Sequence, residues 1–400
     1  MSDNYQYVII GAGLAGSSAV AGIREIERKG NILLIGKEKN LPYDRPPLSK
    51  KLWFGKKKLE EIFLAGKEHF ENNGVEFLEG TAVRQISVTG NMVTLDNNKQ
   101  IFFNKLLLST GGSPKKLNIP GGDLADIIYF RTITDYLKLR EKAAPNKSVL
   151  IIGGGFIGSE LAAALAINRL KVTMIFPEPY IGMRVFPEEL GKAMLNQYRE
   201  RGINILSGDV PVAFEKKGDK FITGTKSGNE LVSDIIIAGI GIMPETSLAE
   251  QAKLTVGDGI EVNEYLETSV RDIFAAGDNC NFMLPALSGR MRVEHWDNAR
   301  VQGKAAGRNM AGAGEAFDYI PYFFSDLFEF GYEAVGLINP ELETVAFWKK
   351  ENDTGIVYYL EENLVKGVLL CNVWDKVEIA RKIIREKQRH TRDELQNLID

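Results

Sequence analysis

YQYVIIGAGLAGSSAVAGIRE (residues 5–25) decides how this chain begins to fold. Its apolar run, YVII, is unbroken, as in a strand covered on both faces. Gly11, Gly13 and Gly16 follow, and then small and apolar residues of helical character. The reading is strand, tight glycine turn, helix. NILLIGKE (31–38) supplies the next strand, so the chain opens with a βαβ unit and a parallel sheet. A GxGxxG at such a junction has a physical use. The first glycine permits the turn, the second lets backbone approach a pyrophosphate, and the third allows close helix–strand packing. The start of the helix offers free N–H groups and a partial positive charge to the phosphates. An acid about 20 residues further on takes a ribose hydroxyl. Glu38 stands there, directly after Lys37. A single motif of this kind is weak evidence, because it also fits a plain glycine turn.

The chain carries a second copy, SVLIIGGGFIGSELAAALAINRLKVTMIFPE (148–178), with Gly153, Gly155 and Gly158 and with Glu178 as its acid. Two copies, each with strand, helix and acid, predict two dinucleotide sites. A carboxylate at Glu178 repels a 2′-phosphate, so the second site is expected to prefer NADH over NADPH, with Arg184 softening that preference. Short β-type runs over 74–112, with turns at Thr89-Gly90 and Asn97-Asn98, recur in arrangement over 220–241. In TSVRDIFAAGDNC (268–280) a strand delivers Asp278 to a glycine corner, where a short acid can bond the ribityl hydroxyls of a flavin. That favours FAD as the first dinucleotide and NAD(H) as the second. From about residue 319 the runs become aromatic-rich and strand-like, and KVEIARKIIREKQ closes them as a helix. The predicted fold class is α/β, with two Rossmann-like dinucleotide-binding domains and a C-terminal α+β domain of antiparallel sheet plus helices.

Composition narrows the function. Forty of the 400 residues are glycine, above the usual share of about 7%, and much of the excess lies in short clusters suited to backbone–ligand approach. A net charge of -4 gives no basic face for nucleic acid. Cys280 and Cys371 are the only cysteines, so no CxxC redox or metal motif exists, and both thiols are expected to be idle. Three scattered histidines make no metal site; His69 and His390, in charged segments, are expected to be solvated. No GxSxG occurs, so a serine hydrolase is not indicated. No apolar run reaches the roughly 18 residues of a membrane span, and the first one leads straight into glycines rather than a signal-peptide cleavage site. The expected compartment is the cytoplasm.

GAGLAG, LPYDRPPLSKKLWFG, STGG, IIGGGFIGSELA, AAGD, RVEHWDNA and FFSDLFEFGYEAVGLI follow one another in an order that resembles one family. It is that of the FAD-dependent ferredoxin, rubredoxin and putidaredoxin reductases, within the glutathione-reductase-like flavoproteins. FPEPYIGMRVFPE and KGVLL followed by IARKII are most similar to its apoptosis-inducing-factor-like branch. The resemblance implies an FAD domain in two segments (1–116 and 243–318), an NAD domain between them (117–242) and a C-terminal domain (319–400). By position, it implies that Gly11, Ala12, Gly13, Leu14, Ala15 and Gly16 hold the FAD pyrophosphate. Lys37 and Glu38 are placed at the adenosine ribose, with Arg45 and Lys50 nearby and Val83 on the adenine side. Thr110, Gly111, Arg131, Asp278, His295 and Trp296 are further flavin contacts. For NAD the matching positions are Gly153, Gly155, Phe156, Ile157, Gly158, Glu178, Arg184, Gly241, Glu294, Glu333 and Asn372. The family's usual Trp in its FWSD segment is Phe324 here, a smaller ring over the nicotinamide and flavin. The chain also lacks the long C-terminal insertion and the upstream region of the animal factor, which suggests a prokaryotic-type relative.

The expected reaction is hydride transfer from NADH to flavin N5, followed by electron release to an iron–sulfur protein, a quinone or oxygen. The cofactors supply the chemistry and the protein supplies placement and electrostatics. Lys50 is the cation expected to favour flavin reduction. Glu160 follows Phe156 by four, on the same helix face, and is expected to pair with Lys50. Phe156 is expected to act as a gate over the flavin, and His295 to lie near the ring. In YDRPPLSK (43–50), Pro46 and Pro47 fix the backbone entry to Lys50. No cysteine precedes Cys280, so electrons cannot leave through a cysteine pair in that segment. A second reading is an NADH-sensing flavoprotein whose long-lived charge-transfer complex controls homodimer formation and partner binding.

Overall fold

The computed structural model describes residues 3–399. The chain divides into two compact units. The first takes the chain up to Asp44, then Leu59–Ser113 and Met243–Tyr322; the second takes Arg45–Lys58, Pro114–Ile242 and the chain from Phe323 onward.

The first unit is built on a seven-stranded sheet. Its order runs Val75–Leu78, Ile32–Ile35, Asn4–Ile10, Gln100–Leu108, Met92–Leu95, Val83–Ser87, and Ile273–Ala275 pairs with Gln100–Leu108. The strands around Asn4–Ile10 are parallel, with Ile10 opposite both Ile35 and Leu108. Val8, Ile9 and Leu106 to Leu108 are fully buried, the signature of a strand covered on both faces. The helix Leu14–Ile26 lies against a later helix, Trp296–Met310. Their approach depends on glycine. A Cβ at Gly303 would stand 2.2 Å from the Ala15 carbonyl oxygen, and one at Gly307 would stand 2.1 Å from that of Ala19. The helix that opens at the first glycine fingerprint is thereby held by backbone-to-backbone contact.

The second unit repeats the plan. Asn204–Ser207, Lys171–Phe176, Ser148–Ile152, Ile235–Ala238 and Ile128–Tyr129 form a parallel sheet, with the helix Phe156–Ile167 after the central strand. A three-stranded antiparallel sheet, Pro211–Lys217, Lys220–Thr225 and Glu230–Ser233, accompanies it. The C-terminal region is a five-stranded sheet ordered Tyr322–Leu327, Phe330–Gly336, Leu364–Cys371, Thr354–Glu361, Glu343–Lys350, and the pairs from Phe330–Gly336 onward are antiparallel. The helix Val377–Glu386 buries Ala380, Ile383 and Ile384, the spacing its sequence shows.

Residues 45–58 group with the second unit, although the resemblance assigns them to the FAD domain. Their side chains explain this. Arg45 donates to the Arg131 carbonyl, Trp53 packs edge-on against Tyr136, and Asn168 donates to the Trp53 carbonyl. His390 also departs from expectation. It is half-buried, and its Nε2 is enclosed without a hydrogen-bond partner, because the tail that carries it folds back to donate His390 N–H to the Asn363 carbonyl.

Candidate functional site

The two glycine fingerprints have the same geometry. Gly11 has φ +112° and Gly153 φ +114°, a region that glycine alone enters readily. A Cβ at Gly11 would lie 2.1 Å from the Ser109 carbonyl oxygen, and one at Gly153 would lie 2.4 Å from that of Gly239. The third glycines, Gly16 and Gly158, each face a carbonyl oxygen of the first at 2.0 Å from an added Cβ. The second glycines differ from both. Around Gly13 and Gly155 nothing stands within 4 Å of the position a Cβ would take. Each is also the N-cap of its helix, with no side chain capping the free N–H groups. Open space over uncapped donors is what an anion needs, and both cradles fit a pyrophosphate. Ala12 and Leu14 flank the first opening and are half-buried, while Ala15 is buried under it. Ile157 occupies the corresponding flank of the second.

Within the first unit, Glu38 lies just past its strand and accepts a 2.7 Å hydrogen bond from the Tyr43 hydroxyl; Lys37 beside it is exposed. Val83 begins an antiparallel strand opposite Leu95. Thr110 and Gly111 follow the strand Gln100–Leu108, and the Thr110 hydroxyl both donates to the Glu245 carbonyl and accepts from Asn279. Asp278 follows Ile273–Ala275, and its carbonyl accepts from Arg292, which also pairs with Glu294. Two buried polar atoms near this corner, Asn279 Oδ1 and Gln302 Nε2, have no hydrogen-bond partner in the protein. Buried polar atoms ordinarily have partners, so this region fits a polar ligand such as a flavin.

His295 caps the helix Trp296–Met310, and the Trp296 indole donates to Asp44 at 2.7 Å. His295 is half-buried, and desolvation pushes its pKa down to about 4, with Asp278 opposing the shift. Its imidazole is therefore neutral at pH 7. Between an unfolded value of about 6.5 and the folded value, the unfolded chain binds the extra proton, so stability falls as pH drops through that window and is unaffected by this group above it. His295→Gln is expected to flatten the pH dependence of unfolding free energy between pH 4 and 6.5, measured by denaturant titration.

Within the second unit, the residues expected around the nicotinamide and flavin gather at the start of the helix Phe156–Ile167. Lys50 Nζ lies 3.1 Å from Glu160 Oε1, and both side chains are less than a tenth exposed. The same ammonium stands 4.9 Å from the centre of the Phe324 ring. Phe156 meets Phe323 edge-on at 5.1 Å between centroids. Phe156 and Phe324 are 41% and 37% exposed, so both rings are open to a ligand while the charges beside them are enclosed. Glu178 follows the strand Lys171–Phe176, with its carbonyl accepting from Gly208 N–H, and Arg184 is exposed in the loop after it. Gly241, at φ +93°, accepts from Lys115 N–H. Glu333 has one carboxylate oxygen buried without a partner, and burial, with Asp375 adding, raises its pKa. Asn372 spends its side chain on structure, accepting from Gly331 N–H and donating to the Asp353 carbonyl.

Three contacts escape a reading of the sequence by motif. Ser49 donates to Glu160 Oε2 at 2.5 Å and Ser325 to Oε1 at 2.6 Å. Both serines lie in quoted segments, beside Lys50 and Phe324, and adjacency was the only signal. Asp44, which holds Trp296, is the third.

Two glycine cradles that each fit a pyrophosphate, each with an acid after its second strand, suit a protein of two dinucleotides, and the two cysteines are buried and free. The model of the pyridine nucleotide-disulphide oxidoreductases matches residues 5–303, and that of the C-terminal part of apoptosis-inducing factor matches 306–354 and 349–386. The chain belongs to the pyridine nucleotide-disulphide oxidoreductase family, in its apoptosis-inducing-factor and ferredoxin-reductase branch, and is an FAD-dependent NAD(P)H oxidoreductase. It is 31% identical to apoptosis-inducing factor 1, mitochondrial, of Dictyostelium discoideum, over 100% of this chain and 82% of that one. It is also 31% identical to the ferredoxin–NAD(+) reductase component of the 3-phenylpropionate/cinnamic acid dioxygenase of Photorhabdus laumondii, over 95% and 96%. Among solved structures, the covalent putidaredoxin reductase–putidaredoxin complex aligns with TM-score 0.92 and 30% identity, over 100% of this chain and 96% of that one. Among the described residues, no helix is long and apolar enough to cross a membrane, and no cluster of ligating side chains suits a metal ion.

Proposed function

We propose that this protein oxidises NADH and passes the electrons to a small iron–sulfur protein of the ferredoxin type, in the cytoplasm. The observation that carries this reading is the buried Lys50–Glu160 pair, a fixed cation in the segment where a disulfide reductase would need sulfur. The names of the relatives support the acceptor class. A bound flavin supplies the conversion between two-electron transfer from a nicotinamide and single-electron release.

The chain's own residues then have these roles. The first fingerprint, Gly11 to Gly16, holds the FAD pyrophosphate, with Glu38 on the adenosine ribose and Lys37, Arg45, Val83, Thr110, Gly111, Arg131, Asp278, His295 and Trp296 as further contacts. Gly153, Gly155, Ile157 and Gly158 hold the NADH pyrophosphate, Glu178 takes its ribose, and Arg184, Gly241, Glu294, Glu333, Phe324 and Asn372 line the rest. Lys50 opposes the negative charge that reduction adds. Glu160 holds Lys50 in place, and Phe156 swings aside for nicotinamide. Residues 1–116 with 243–318, 117–242 and 319–400 serve as the FAD, NAD and C-terminal domains.

Anaerobic stopped flow tests the reading. NADH should reduce the flavin with a higher kcat/KM than NADPH, and a ferredoxin-type protein should reoxidise it faster than a quinone or oxygen. Preference for NADPH would remove the role given to Glu178. Slow reoxidation by every acceptor, with a dimer appearing on size-exclusion chromatography, would replace the reductase by a redox-dependent NADH sensor.

A further inference from the structure

Glu160 is held by more than Lys50. Its carboxylate accepts from three donors: the Ser49 hydroxyl on Oε2, and the Ser325 hydroxyl and Lys50 ammonium on Oε1. The donors come from two separate stretches of chain, the 3₁₀ turn Pro46–Ser49 with its following lysine, and the strand Tyr322–Leu327. Ser49 and Ser325 are each only 1% exposed, so water does not replace either hydroxyl.

We propose that Ser49 and Ser325 are positioning residues that set the electrostatic strength of Lys50. This rests on the reading that Lys50 borders the flavin. Two hydroxyl dipoles point their positive ends at Glu160 and offset part of its charge. They also fix the carboxylate plane, with Oε1 on the ammonium and the Ser325 hydroxyl and Oε2 on the Ser49 hydroxyl. Without them the carboxylate exerts more of its charge and draws Lys50 with it as it turns. The site becomes more negative, and accepting electrons becomes harder. Hydrogen bonds to charged groups in an enclosed site are stronger than those in water, so the effect is large enough to read.

The test uses the full-length, FAD-loaded protein and compares wild type, Lys50→Met, Ser49→Ala and Ser325→Ala. Flavin midpoint potential is measured by dye-coupled titration, and reduction by NADH in stopped flow. Each serine variant is expected to weaken the reduction equilibrium about tenfold, a fall of about 30 mV for a two-electron couple. The NADH concentration dependence should be unchanged while the limiting rate falls. If Lys50→Met shifts the potential and the serine variants do not, the proposal is overturned while the role of Lys50 stands. If Lys50→Met does not shift it, both are overturned. Where an alanine variant does not fold, Ser49→Cys or Ser325→Cys decides, since a thiol keeps the volume and donates only weakly; a wild-type potential there overturns the proposal.

Discussion

Lys50→Met will slow flavin reduction by NADH about 100-fold, the scale seen when one fixed electrostatic partner of a developing charge is removed. Methionine is unbranched and nearly as long as lysine, so it keeps most of the apolar stem while removing the charge and with it the ammonium contact to Phe324. The same change leaves Glu160 enclosed beside two serines with no cation, and breaking a buried pair in this way costs about 3 kcal/mol of stability. The two consequences can be separated. Lys50→Met combined with Glu160→Gln removes the stranded charge while an amide oxygen still accepts from a serine. The double variant should regain most of the lost stability by denaturant unfolding and stay slow in stopped flow. Recovery of the rate in the double variant would show that Lys50 serves only to balance Glu160.

The second expectation concerns the open glycines. Gly13→Ala and Gly155→Ala should fold, because each Cβ points into empty space and each backbone conformation, near φ -90° and -84°, suits alanine. Each should nonetheless obstruct a pyrophosphate approaching the helix start. Overpacking of this kind costs about 1–3 kcal/mol, or roughly ten- to hundredfold in affinity. Gly13→Ala should lose FAD on dilution, followed by flavin fluorescence, with thermal stability of the apoprotein near that of wild type. Gly155→Ala should keep FAD and weaken NADH binding alone. Gly16→Ala and Gly158→Ala provide the contrast, because their Cβ atoms would collide with backbone and unfold the local packing. Equal FAD affinity in Gly13→Ala and wild type would mean that the first cradle does not hold a pyrophosphate.

Much of the molecule was legible in its sequence because the relevant physics is local. An unbroken apolar strand, a glycine that must adopt positive φ and a helix opening on small residues all lie within some fifteen residues, and the chain says this twice. The asymmetry among the three glycines of each fingerprint is less local. Gly11 and Gly153 are confined by Ser109 and Gly239, residues from distant strands, and only the packed sheet shows that Gly13 and Gly155 stand clear. The pairing of Lys50 with Glu160 was suggested by helical spacing and by resemblance, but not its enclosure. That depends on Ser49 and Ser325, which come from segments far apart in sequence and meet the two oxygens of one carboxylate. Serine is common and carries no periodic signal, so no pattern marks it as a partner. The sequence by itself determined the two nucleotide-binding units, the absence of a sulfur relay and the identity of the charged pair. The tertiary structure alone decided which donors hold that pair, that residues 45–58 pack with the second unit, and which glycines leave room for a ligand, because each depends on atoms that only folding brings within a few ångströms.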